Sequence, residues 1–148
     1  MFNRLLVTLD GSELSERALE PAFAIAQKFK AEITLLRVIT VDVMMAVGAS
    51  GAYTDELQNW HVGHEREAAL AYLGTISARW QGMGVPVRTR VMTGAPPERI
   101  LSAVAENGID LIVMSTHGWT GLSRLLYGSV AEAVVRGTHL PVLLIPLL

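Results

Sequence analysis

Two hydrophobic rhythms alternate along this chain. Leu111 to Ser115 (LIVMS) is a nearly unbroken apolar run, the pattern of a strand buried on both faces. A polar, glycine-bearing stretch from Thr116 to Gly128 follows it. Ser129 then opens a short helical pattern in which Val130, Ala133 and Val134 share a face, and Gly137 closes it. Pro141 blocks any continuation, and Val142 to Ile145 reads as another buried strand.

The same alternation runs through the rest of the chain. Arg4 to Leu9 (RLLVTL) predicts the first strand. Asp10-Gly11-Ser12 predicts a turn into a helix, with Ser12 as cap and Glu13 and Glu16 suited to the positive end of the helix dipole. Leu14, Ala18, Ala22, Ile25 and Phe29 recur at helical spacing and predict its buried stripe. Pro21 falls inside that pattern and predicts a kink, at about 3 kcal/mol unless packing compensates. Ala31 to Val38 (AEITLLRV) predicts the second strand. Residues 39 to 54 have no period and predict a long loop.

Asp55 to Met83 is the longest helical pattern, with Leu57, Trp60, Leu70, Leu73, Ile76, Trp80 and Met83 as its apolar positions. Gly63 predicts a bend, and Gly82 and Gly84 end the helix. From Val85 to Met92 the chain alternates, with Arg88 and Arg90 opposite Val85, Val87, Thr89 and Val91, which predicts a half-exposed strand at a sheet edge. Gly94-Ala95-Pro96-Pro97 starts a third helix, in which Ile100, Leu101 and Val104 pack and Asn107-Gly108 ends the run. Strands alternating with helices imply a doubly wound parallel sheet, an α/β fold with helices on both faces and right-handed crossovers. The expectation is one domain over 1–148, with no internal repeat and no linker.

Composition narrows the function classes. Hydrophobic residues make up 51% of the chain, which excludes a disordered segment. The net charge is −2 and no basic block occurs, which argues against nucleic acid or an anionic membrane as the main partner. No cysteine is present, so disulfide frames, thiolate chemistry and zinc-cysteine sites are excluded. No apolar run approaches the ~18 residues of a membrane span. The opening MFNRLLVTLDG has a short apolar run that Asp10 interrupts, unlike a signal peptide, and the expected location is the cytoplasm.

In open parallel sheets, ligands bind beyond the carboxyl ends of the strands, where the winding reverses. If strands 1 and 4 are central neighbours, Asp10 and Ser115 flank that crevice, Val38 borders it, and the stretch from Thr116 to Gly128 closes it. The Asp10 carboxylate suits ribose hydroxyls. Gly118 and Gly128 let backbone N–H groups approach phosphate oxygens, and Ser129 adds a hydroxyl at a helix N-terminus. The Val38 backbone is placed to pair with an adenine edge. Each residue also has a plainer role: Asp10 capping its own turn, Gly118 and Gly121 as turn residues, Ser129 as an N-cap.

Taken together the pattern resembles the universal stress protein family over nearly the whole chain. The nucleotide-binding members carry glycine, two residues, glycine, nine residues, glycine and serine or threonine; here the register is Ser115, two residues, Gly118, nine residues, Gly128, Ser129. VTLDGS (Val7 to Ser12), GSVAEAVV (Gly128 to Val135) and PVLLIP (Pro141 to Pro146) also look like the family. The resemblance implies a Rossmann-like fold of the adenine nucleotide alpha hydrolase-like kind, with strand order 3-2-1-4-5. It implies ATP as ligand, with Mg²⁺ as a companion. Asp10 would hold the ribose, the Val38 backbone the adenine, and Gly118, Gly128, Ser129 and the Val130 N–H the phosphates. Ser115 departs from the family glycine, whose backbone lies near the ribose. Its Cβ and hydroxyl would either crowd the sugar or hydrogen-bond to it. The resemblance further implies a homodimer through the last strand, Val142 to Leu148, an apolar edge that needs cover.

Other signals are weaker. His61 and His64 lie three apart near Glu65 and Glu67, and a solvated helix face explains them better than a metal site. His117 and Arg124 are candidates for phosphate contacts, and Trp119 for covering the site. Nothing matches the phosphate loop GxxxxGK[ST], and a receiver domain would need an aspartate where Met92-Thr93-Gly94 stands. No catalytic nucleophile, base and orienter can be assembled. Three functional readings are thus ranked. An ATP-binding stress-response regulator comes first, a slow ATP hydrolase second, and a dimeric interaction protein without nucleotide third.

Overall fold

The computed structural model describes residues 1–40, 55–116 and 128–146. Five parallel strands form one sheet: β1 (Arg4–Thr8), β2 (Glu32–Ile39), β3 (Val87–Thr93), β4 (Leu111–Ser115) and β5 (Val142–Ile145). Their order across the sheet is β3-β2-β1-β4-β5, so the alternating pattern of β3 does mark a sheet edge. The connecting helices are α1 (Leu19–Phe29), α2 (Asp55–Arg79), α3 (Pro96–Asn107) and α4 (Ser129–Gly137).

Strand pleating divides the core into two layers. Leu5, Val7, Ile33, Leu35, Leu111 and Val113 face one side, against Leu19, Ala22, Phe23 and Ala26 of α1 and Ala69, Leu73 and Ile76 of α2. Leu6, Leu36, Ile112 and Met114 face the other, against Ile100 and Ala103 of α3 and Ala131 and Val134 of α4. Winding proceeds outward from β1 to β3, then jumps back to β4 beside β1. The carboxyl ends of β1 and β4 therefore meet where the helices part to opposite faces.

Three expectations about helices need correction. The first helix opens with a 3₁₀ turn (Ser15–Ala18), and the α-helix starts only at Leu19. Pro21 then lies in the first α-turn, where a missing N–H costs little, so no break follows from it. The buried stripe is Leu19, Ala22, Phe23 and Ala26, whereas Leu14 and Phe29 are 49% and 42% exposed. α2 runs unbroken through Gly63 and ends at Arg79, with a separate 3₁₀ turn at Gln81–Met83. Of its expected apolar positions, Leu73 and Ile76 are buried, while Leu57, Leu70 and Trp60 are exposed, Trp60 to 67%. Gly137 does terminate α4, but its φ is not left-handed. Its value lies in packing: a Cβ there would meet Leu101 Cδ1 of α3 at 2.6 Å.

Candidate functional site

The chain leaves β1 through a turn that its own side chains fill. The Leu9 N–H donates to the Leu36 carbonyl at 2.9 Å, which holds the exit against β2. Gly11 has φ 89°, a left-handed conformation that favours glycine, and the Arg37 guanidinium covers it. The Ser12 N–H and hydroxyl both donate to Asp10 Oδ1, at 2.8 and 2.5 Å. The Ser15 N–H donates to Ser12 Oγ at 3.1 Å, and the Ser15 hydroxyl to the Ser12 carbonyl at 2.8 Å. Ser12 thus braces the turn ahead of the 3₁₀ segment and does not cap α1, whose N-cap is Ala18. Behind it, the Tyr72 hydroxyl and Arg79 guanidinium donate to Glu16, at 3.1 and 2.7 Å. Burial first, then the Glu16 bond and charge, push the Tyr72 hydroxyl up to about 12.

The chain leaves β4 differently. The Thr116 N–H donates to the Ile145 carbonyl at 3.0 Å, and Thr116 is buried. The predicted loop residues His117, Gly118, Trp119, Gly121 and Arg124 lie outside the described residues, as do 41–54 of the earlier loop. At Gly128 the chain re-enters as the N-cap of α4, in extended conformation (φ −61°, ψ 159°) and with no side-chain capping bond. Ser129 is the first helical residue, not the cap. The first N–H to find an acceptor within the helix is that of Glu132, on the Gly128 carbonyl at 2.9 Å. The amides of Ser129, Val130 and Ala131 have no acceptor inside α4. They stand at the positive end of its dipole.

Between these exits lies a crevice of about 260 Å³. Asp10, Val38, Ser115, Gly128, Ser129 and Val130 all line it, so six of the seven sequence-predicted positions converge; the seventh, Gly118, is outside the described residues. Ser115 lines the crevice at the end of β4. It follows Met114, and the pleat sends its side chain toward the Val113 face, away from α3 and α4.

The sequence reading missed Thr8, Leu9, Ser15, Leu36, Pro96, Ile100, Met114 and Ala131, which complete the lining. Period-two alternation would have found two of them: Leu36 precedes Val38 on one face of β2, and Thr8 follows Leu6 on β1. Sequence gives Pro96 only a helix-starting role and Ile100 only a packing role, because nothing local says that the start of α3 looks into a crevice. Asp10 is the one ionisable side chain among the described lining residues. The described lining thus offers an anion amides and a helix dipole rather than a cationic side chain. Among the described residues no group of His, Asp or Glu is placed to hold a metal ion. His61 and His64 are exposed on α2, where His64 stacks on Trp60 with ring centroids 5.3 Å apart. No helix of the described residues is long and apolar enough to cross a membrane.

The sequence profile of the universal stress protein family matches residues 1–146. The chain belongs to this family. Universal stress protein MJ0531 of Methanocaldococcus jannaschii is 34% identical over 145 residues, spanning 98% of this chain and 82% of that protein. The solved structure of a second family member from that organism, MJ0577, has a TM-score of 0.74 at 27% identity, over 100% of this chain and 98% of that one. A universal stress protein solved in complex with cAMP shares the fold with a TM-score of 0.70 at 23% identity, over 98% of this chain and 97% of that one.

Proposed function

We propose that this universal stress protein is a cytoplasmic, homodimeric regulator that binds an adenine nucleotide, ATP by preference, in the crevice between β1 and β4. One observation carries the proposal. Ser129 to Ala131, whose amides have no acceptor inside α4, and Asp10 line the same crevice. They offer an anion site and a hydroxyl acceptor, the two polar needs of a nucleoside phosphate. In this reading Asp10 takes the ribose and the Val38 backbone the adenine edge. Gly118, Gly128, Ser129 and Val130 take the phosphates, and the Ser115 backbone lies beside the sugar. Leu36, Ile100 and Met114 supply an apolar bed for the base. Mg²⁺ would be carried by the phosphates and water, since the described lining has no second carboxylate for it. The proposal is binding rather than turnover, because Asp10 Oδ1 already accepts two hydrogen bonds from Ser12 and no other described lining side chain can act as a base.

Dimerisation is proposed through β5. The strand stands at the sheet edge and each of its residues is half-buried, an apolar edge whose backbone a two-fold partner strand would satisfy. Titration calorimetry with ATP and Mg²⁺, AMP and cAMP, beside an Asp10→Ala variant, tests the nucleotide. Saturable binding weakened by the variant supports the proposal; no heat at millimolar nucleotide removes it. Sedimentation of the chain with and without Leu144→Lys tests the dimer: a monomeric wild type removes that part.

A further inference from the structure

We infer that Ser12 is a positioning residue for the ligand's sugar: it aims the Asp10 carboxylate at the ribose hydroxyls, and Ser15 braces it. This rests on the nucleotide reading above. Asp10 is exposed at the crevice rim, beside a glycine in left-handed conformation. A carboxylate so placed would ordinarily sample several rotamers, and a ligand would have to order it. Here it is already ordered. Both donors of Ser12 converge on one oxygen, Oδ1, through the backbone N–H at 2.8 Å and the hydroxyl at 2.5 Å. With Oδ1 fixed, the plane of the carboxylate and the direction of Oδ2 are fixed with it.

The serine that aims is itself held. Having given its proton to Asp10, the Ser12 hydroxyl accepts from the Ser15 N–H at 3.1 Å. Ser15 is 5% exposed and lines the crevice floor. Its hydroxyl donates to the Ser12 carbonyl at 2.8 Å and accepts from the Asp10 N–H at 3.3 Å. Asp10, Ser12 and Ser15 therefore close a ring of five hydrogen bonds in which each residue constrains the other two. A single bond from Ser12 would serve to shape the turn. Two on the same oxygen, with the second donor oriented by a buried serine, also preorganise the acceptor.

A structural role and a positioning role for Ser12 separate by ligand. Wild type, Ser12→Ala and Ser12→Thr are titrated with ATP and with 2′,3′-dideoxy-ATP, which lacks the hydroxyls that Asp10 would hold. Wild type is expected to prefer ATP roughly tenfold, the worth of one charge-assisted hydrogen bond. Ser12→Ala should weaken ATP roughly fivefold and dideoxy-ATP less than twofold. Ser12→Thr, which keeps the hydroxyl, should restore the preference. Equal loss for both ligands in Ser12→Ala, or an unchanged preference, overturns the inference and leaves the nucleotide site standing. A wild type that binds both ligands equally overturns it as well, since the sugar hydroxyls are then not read. A wild type that binds neither ligand removes the nucleotide reading, and the inference with it. Thermal melts of all three proteins guard against a folding defect; Ser15→Ala, at a buried position, is the second variant and should lose the same preference.

Discussion

Two exits from the carboxyl end of the same sheet solve the problem of unpaired backbone groups in opposite ways. After β1, three side chains satisfy one another: Asp10, Ser12 and Ser15 leave little for a visitor to complete. After β4, the chain returns to α4 through Gly128, which has no side chain to offer, and the first residues of the helix line the crevice with amides that have no acceptor inside α4. The first exit is rigid before any ligand arrives. The second has amides that no group inside α4 completes. A pocket that needs both a fixed acceptor and an unmet anion demand places them side by side at the winding reversal.

The contrast is most sharply broken by giving the second exit what the first has. Gly128→Asp supplies a capping carboxylate in a conformation that any residue can adopt. It should weaken ATP at least about 30-fold by occupying the amides and repelling phosphate, while thermal stability holds or rises by up to about 1 kcal/mol. Titration and melting of the same sample check both halves. The opposite variant strips the first exit. Asp10→Ala removes the acceptor of two Ser12 donors, so affinity should fall roughly tenfold and stability by about 1–2 kcal/mol. Loss of affinity without loss of stability would mean the ring is not structural.

A third test probes the support behind the first exit. Burial and the neighbouring Glu16 raise the Tyr72 hydroxyl to about 12, above its ordinary value of 10.0. The folded chain then keeps a proton that the unfolded chain releases above pH ~10, so stability should be constant below that pH and decline as pH rises toward 12. Urea melts at pH 9 and 11 check the slope, and Tyr72→Phe should flatten it. The smallest effect concerns helix ends. α3 ends on Gly108 at φ 61°, but α1 ends on Lys30 at φ 55°. Lys30→Gly should stabilise by roughly 0.5 kcal/mol, the left-handed strain relieved less the added freedom of the unfolded chain. Chemical denaturation resolves a shift of that size.

Sequence carried the strands better than the helices, for reasons visible in particular residues. β4 and β5 have the predicted boundaries, because short apolar runs between turn residues admit little else. In the first helix Ala18 and Ala22 are buried as expected but Leu14 and Phe29 are not, because LEPAFAIAQKF is apolar on more than one face and a 3₁₀ turn with three residues per turn precedes α1. The first half of α2 misled for another reason. Its 25 residues span about 37 Å, against about 26 Å for the longest strand, so Leu57 and Trp60 extend beyond the sheet that would have buried them. Six of the site positions were legible because they sit at strand ends and a helix start, the places that a parallel sheet brings together. The ring of Asp10, Ser12 and Ser15 was not: periodicity gives elements, not which hydroxyl turns toward which oxygen.

One packing detail also makes the molecule optically addressable. Trp80 stacks on Phe23, ring centroids 4.8 Å apart, and its buried indole N–H meets no acceptor among the described residues. Trp60, near the other end of α2, stands in water. The two indoles should therefore emit at different wavelengths, Trp80 to the blue. In a Trp119→Phe background, iodide should quench the red component first, leaving a signal that reports on whether α1 still lies against the end of α2.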